Sequence, residues 1–233
     1  MGNDLFRASL AELIGTFVLV FVGAGAVVVA PLFGVVVPAL AHGLILVGLI
    51  YSYGHISGAQ FNPAVTIGLL VGGKQDAMRS AVFIVVQFVG GIIAGFAIAT
   101  LIPHTNETFM SNFIESGVFN FGVTTGALTD DFVWSAAIIE AILTFFLVSA
   151  VYQAAVYGKA GNLAGVAIGF TLAGSILAGG VLTGASLNPA RTLGPALAAG
   201  DLSYVLPYFV GLFGGGIIGG LVHGYVLNNS SET

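Results

Sequence analysis

The sequence predicts an all-α integral membrane protein of six transmembrane helices and two re-entrant half-helices, built as two inverted three-span repeats. Three observations carry that expectation. Apolar residues make up 57% of the 233 and charged ones 6%, with a mean hydropathy of +1.05, and a soluble domain has too little polar surface to cover such a chain. Apolar runs recur at the length of about 20 residues that a spanning helix needs. Two octapeptides echo each other, SGAQFNPA at 57–64 and TGASLNPA at 183–190, which places Asn188 at 188 − 62 = 126 residues after Asn62.

The runs are 10–30, 36–53, 81–102, 133–157, 163–180 and 204–227. In the first, Arg7 ahead of an apolar stretch has the outline of a secretory signal. That stretch is longer than the usual apolar core of about 7–15 residues and contains Glu12, so it is expected to remain as a span. Glycine at 35 of 233 positions suits helices that pack backbone to backbone in lipid, and the four-residue spacings Gly165/Gly169 and Gly215/Gly219 fit such contacts. Arg7, Lys74, Arg79 and Lys159 fall on one side of a six-span chain, the side that the positive-inside rule makes cytoplasmic. Both termini then belong inside the cell, and the membrane is taken to be the cell membrane. The connection 103–132, with Glu107, Glu115, Asp130 and Asp131, falls outside, where Asn106-Glu107-Thr108 fits a glycosylation sequon. Residues 228–233 have the composition of a frayed polar end. Arg191 is left over at membrane depth.

A second echo supports the first. AELIGTFVLV at 11–20 and IEAILTFFLV at 139–148 match in register, with Glu140 at 140 − 12 = 128 residues after Glu12. The chain is therefore one domain of two related halves, about 5–102 and about 133–228, joined by 103–132. Each half has three spans, an odd number, so the second half enters the membrane from the opposite side. After each Asn-Pro comes an apolar run too short to span, AVTIGLLV at 64–71 and ARTLGPALA at 190–198. Pro is favoured at the first helical position and Asn just before it as a cap, so half-helices begin at Pro63 and Pro189. Folding back from opposite faces, their N-termini meet near the midplane. The segments GHISGAQF and VLTGASL ahead of them are expected to be non-helical, a state tolerated at that depth only in protein or along a watery cavity. Their carbonyls, with His55, Ser57, Gly58, Thr183 and Gly184, would line that cavity.

Two Asn-Pro-Ala boxes, Asn62-Pro63-Ala64 and Asn188-Pro189-Ala190, with Arg191 after the second, in inverted three-span halves, resemble the aquaporin (major intrinsic protein) family over essentially the whole chain. The resemblance implies a passive channel for water that excludes protons and ions, working as a homotetramer in the lipid bilayer. Asn62 and Asn188 would turn amide N–H donors toward passing water, or serve only as helix caps. Arg191 would stand at the outer constriction; pairing with Asp201 is its bland alternative. Spacing from the boxes in the family pattern carries the other filter positions onto His42, Ile176 and Ala185. That set departs from the strict water-channel pattern, an aromatic in the first place and a His in the second. It is similar to the filters of plant tonoplast intrinsic proteins, some of which pass ammonia or another small neutral solute. A lone His in an apolar helix is otherwise a packing residue. Glycerol facilitators carry Asp after the Arg, where this chain has Thr192, and two filter aromatics that are absent here.

Glu12 and Glu140 are intramembrane carboxylates, functional by default. They are either coupling groups of an ion-coupled secondary transporter, the alternative from another class, or acceptors for the backbone of the folded-back loops, a role Gln87 would share. His55 either lines the passage or gates it by protonation. The chain has no cysteine, no phosphate-cradling Gly loop and no nucleophile with a base and orienter, so catalysis has no foothold. No cofactor, no metal and no nucleic-acid partner is expected, the charge of −5 being thinly spread.

Overall fold

In the computed structural model, residues 2–102 and 120–227 are described. The sequon at Asn106, the acids Glu107 and Glu115 and the tail 228–233 lie outside them. The helices are α1 (Gly2–Val28), the single turn α2 (Ala30–Phe33), α3 (Val36–Ser57), α4 (Pro63–Val71), α5 (Ala77–Leu101), α6 (Val133–Ala150), α7 (Ala164–Thr183), α8 (Pro189–Ala199) and α9 (Val205–Leu221). Six segments are long and apolar enough to span a membrane: Asp4–Val28, Val36–Ser57, Ala77–Leu101, Asp130–Val156, Gly161–Thr183 and Val205–Val226. They match the six runs of the sequence in order, and α4 and α8 are the two half-helices, beginning at Pro63 and Pro189. This is an all-helical, multi-pass membrane protein.

One boundary differs from expectation on both sides of the repeat. Helix α3 runs through His55 to Ser57 and α7 through Thr183, so only 58–62 and 184–188 are non-helical. The stop is local: Gly58 and Gly184 take left-handed conformations, φ 95° and 85°, and their N–H groups close the last turn on Gly54 and Gly180 carbonyls at 3.0 and 2.9 Å. The sequence lacks a breaker before each glycine, so the helix continues to it.

The halves interlock through glycine. α1 packs on α3 and α5, and α6 on α7 and α9, while each half-helix lies against a span of the other half, α8 on α5 and α4 on α9. Gly91 and Gly95 of α5 face Ala190 and Gly194 of α8; Gly216 and Gly220 of α9 face Ala64 and Gly68 of α4. A methyl group at Gly91 would stand 2.5 Å from the Ala190 carbonyl oxygen, closer than carbon and oxygen tolerate. Replacing Gly91 by Val is therefore expected to push α8 off α5 and cost about 1–3 kcal/mol, the usual range for overpacking. Gly214, with nothing within 4 Å of an added methyl, is the control: Gly214→Ala leaves the thermal midpoint of the detergent-solubilised protein unchanged, while Gly91→Val lowers it.

Candidate functional site

The two loops ahead of the half-helices are built alike. Ala59 and Phe61 have φ of 52° and 49°, and Ala185 and Leu187 have 41° and 54°, a region that costs residues with a Cβ about 1–3 kcal/mol each. Each loop is held by one buried carboxylate. Glu12 Oε1 accepts from Ser57 Oγ (2.6 Å) and the Gln60 N–H (2.9 Å), and Oε2 from the Phe61 N–H (2.6 Å) and Gln87 Nε2 (2.8 Å). Glu140 Oε1 accepts from Thr183 Oγ1 (2.7 Å) and the Ser186 N–H (2.9 Å), and Oε2 from the Leu187 N–H (3.0 Å). The carbonyls of Ser57 and Thr183 take Arg79 Nη2 at 3.1 Å and the Tyr208 hydroxyl at 2.5 Å. Ser57 and Thr183, expected along the passage, are instead buried in this scaffold, because their hydroxyls serve the carboxylates. Neither Glu lies in a cavity wall, which leaves the coupling reading without an exposed oxygen.

At the tips, Asn62 Oδ1 accepts the Ala64 N–H (2.9 Å) and Asn188 Oδ1 the Ala190 N–H (2.9 Å), the capping geometry. The amide nitrogens cross between halves: Asn62 Nδ2 donates to the Leu187 carbonyl at 2.7 Å and Asn188 Nδ2 to the Phe61 carbonyl at 2.9 Å. Each NH₂ thus keeps one further hydrogen. Capping and donation coexist in one side chain, and Pro63 and Pro189 at the first helical positions give up no hydrogen bond.

Two cavities meet here. The proximal one, on the side where α1 begins, is walled by both Asn residues, Gly58 and the apolar side chains of α3, α6 and α7. The distal one is walled by Val35, Asn120, Ile176 and Gly184 among others. The residues common to both walls are His42 and Arg191, so these two form the partition. His42 Nδ1 lies 2.8 Å from the Pro38 carbonyl; a carbonyl only accepts, so Nδ1 carries hydrogen and Nε2 of the neutral ring is a bare acceptor, without a partner among the described residues. Arg191, 1% exposed, spends Nη1 on the Gly122 carbonyl (2.7 Å) and Thr124 Oγ1 (2.6 Å), while Nε and Nη2 have no partner among the described residues. The partition therefore offers two free donor groups and one free acceptor to anything small that passes.

The remaining sites fall less neatly. Ile176 is in the distal wall, whereas Ala185 is buried behind it, in neither wall. His55 is exposed on the last turn of α3 and lines neither cavity. Asp201 does not pair with Arg191; on the surface, hydrogen bonding from the Ser203 side chain and then from its N–H, at 2.9 Å, holds the Asp201 carboxyl below the usual range. Thr192 Oγ1 lies 2.6 Å from Ser186 Oγ, bracing the loop below Arg191. Sequence reasoning missed Gly122 and Thr124, in a connection with no apolar period to mark it, and Gly23, where a methyl group would run into the His42 ring.

Six spans around a polar constriction, with cavities on either side and residues of the two loops ahead of the half-helices in their walls, define a multi-pass membrane channel. A model of the major intrinsic protein family matches residues 2–223, and the chain belongs to that family of passive channels, which are not enzymes. It is 36% identical over 227 residues to putative aquaporin NIP4-1 of Arabidopsis thaliana, covering 95% of this chain and 75% of the relative. It is 36% identical over 238 residues to aquaporin TIP2-3 of the same plant, covering 97% and 89%. The X-ray structure of the aquaglyceroporin from Plasmodium falciparum shares the fold, with a TM-score of 0.72 at 24% identity, covering 96% of this chain and 97% of that one.

The carboxylates predict a graded loss. Glu140→Ala leaves the Ser186 and Leu187 N–H groups buried without acceptors, at about 1–3 kcal/mol each, and frees two strained residues. Glu140→Gln keeps one carbonyl oxygen and turns an N–H₂ toward a donor. The folded, monodisperse fraction after mild heating is expected to fall in the order wild type, Gln, Ala.

Proposed function

We propose that this chain is a water channel that holds back protons and ions and also passes ammonia or another small neutral solute. The observation that carries the reading is the shared partition: His42 Nε2 accepts, Arg191 Nε and Nη2 donate, and apolar Ile176 completes the distal wall. Water and ammonia both donate and accept through one heavy atom: water has two lone pairs for the Arg191 donors and hydrogens for His42 Nε2, while ammonia accepts from one Arg191 donor and likewise donates to His42 Nε2. Cations meet the fixed charge of Arg191 and then two half-helix N-termini, each worth roughly half a positive elementary charge. Glycerol gains little, because no aromatic side chain stands at the partition to cover a carbon backbone. The positive-inside distribution of Arg7, Lys74, Arg79 and Lys159 supports cytoplasmic termini. Exposed apolar side chains such as Leu44, Phe96, Ile138 and Phe170 suit lipid and the subunit contacts of a homotetramer.

Stopped-flow light scattering of proteoliposomes tests the reading. Fast osmotic shrinkage with a low activation energy and no dependence on a proton gradient is expected; shrinkage no faster than in empty liposomes would overturn it. Arg191→Val is expected to raise proton or cation leak, read with a pH-sensitive dye. His42→Phe combined with Ile176→His is expected to keep water flow and lose ammonia flux, and retained ammonia flux would show the filter to lie elsewhere.

A further inference from the structure

The offset of 126 residues that relates Asn62 to Asn188 also relates a second set of positions to the four filter positions expected from the sequence. Applied to His42, Ile176, Ala185 and Arg191, it gives Ile168, Ile50, Ala59 and Val65. All four stand in the wall of the proximal cavity, although they come from α7, α3, the first loop and α4. The repeat equivalents of the four expected filter positions thus share one cavity wall, although Ala185 itself lines neither cavity, and this second set is furnished with aliphatic side chains alone. Val65 occupies the place of Arg191, and Ile168 the place of His42. Val65 and Ile168 are buried, at 3% and 5% exposure, and Leu172, one turn beyond Ile168, lines the same cavity. Water entering such a ring loses hydrogen-bond partners on that side and recovers them only from the opposite loop carbonyls, a desolvation cost that narrow apolar constrictions use to limit conduction.

We infer that Ile50, Ala59, Val65 and Ile168 form a second, dehydrating constriction on the proximal side, which selects for small neutral solutes that are weakly hydrated. Resting on the channel reading, the inference adds a specificity step in series with the partition. Urea, with several hydrogen-bonding groups to strip, is penalised most; ammonia, with fewer, is penalised less. The two barriers divide the labour: the distal one discriminates by charge and hydrogen-bond geometry, the proximal one by the cost of drying.

Two variants separate wetting from width. Val65→Thr keeps the shape and adds a hydroxyl; osmotic water permeability per protein in proteoliposomes is expected to rise roughly fivefold, the factor one hydrogen bond of typical net strength makes in a barrier, with a lower activation energy and no new solute admitted. Ile168→Ala widens the ring and is expected to admit urea as well. Protein incorporation and a folded elution profile are checked for each. If the wild type conducts water and both correctly incorporated variants match it in rate, activation energy and solute ranking, the second constriction is wrong and the channel reading stands. If the wild type conducts no water, both fall.

Discussion

A buried carboxylate in each half holds open a loop that would otherwise have no reason to exist. Two residues with a Cβ sit in left-handed conformations in each loop, at about 1–3 kcal/mol apiece. Two backbone N–H groups in each loop donate to a Glu, and bonds to charged acceptors contribute about 1.5–3 kcal/mol apiece. The two quantities are of one size, so each loop persists only while its Glu accepts. Everything further in depends on it: the carbonyls stay off the helical ladder, the half-helices start where Asn caps them, and the tips meet.

The frame is symmetric, but its furnishing is not, and the topology explains why. Two three-span halves need a single connection between them, and it lies on the distal side. There a segment, 120–129, contributes Asn120, Val123 and Thr125 to the distal wall; Ala127 and Leu128 N–H groups fasten it to the Val181 and Leu182 carbonyls at 2.9 Å. From it come the Gly122 carbonyl and the Thr124 hydroxyl that hold one arm of Arg191. A buried guanidinium without such acceptors is costly. Among the described residues no such segment joins the proximal wall to supply them, and there the repeat places Val65. The single linker decides which copy of the filter is able to carry a charge.

Much of this was legible in the sequence, for identifiable reasons. Spans announce themselves by length and hydropathy, and half-helices by Asn-Pro ahead of a run too short to span. The inverted relation follows from an odd span count and two echoes, and a bracing role is one of the two that intramembrane carboxylates at Glu12 and Glu140 admit, with Gln87 beside them. The loop boundaries were less legible, because His55 and Ser57 are polar yet helical and the true stop is the left-handed Gly58. Ser57 and Thr183 were misplaced for a related reason: a hydroxyl beside a passage and a hydroxyl beside a carboxylate look alike in one dimension. Gly122 and Thr124 were invisible, since their contribution is a carbonyl and a position 67–69 residues from Arg191 in sequence, with no pattern to tie them.

On the proposed function, the crossed amides bear on how protons are refused. Asn62 and Asn188 each spend one hydrogen on the carbonyl of the opposite loop, which engages one lone pair of the Phe61 and Leu187 carbonyls at the same stroke. What remains at the tips is donors: one amide hydrogen on each side and the N-termini of two half-helices. A water molecule there must turn its oxygen to the tips and its hydrogens away, toward the remaining carbonyls on either side. On the proposed reading the file of water reverses its orientation at that point, so a proton relay arriving from either side finds a molecule with no lone pair turned toward it. The same bonds that pin the two halves together therefore set the one orientation in which water moves on and the relay stops.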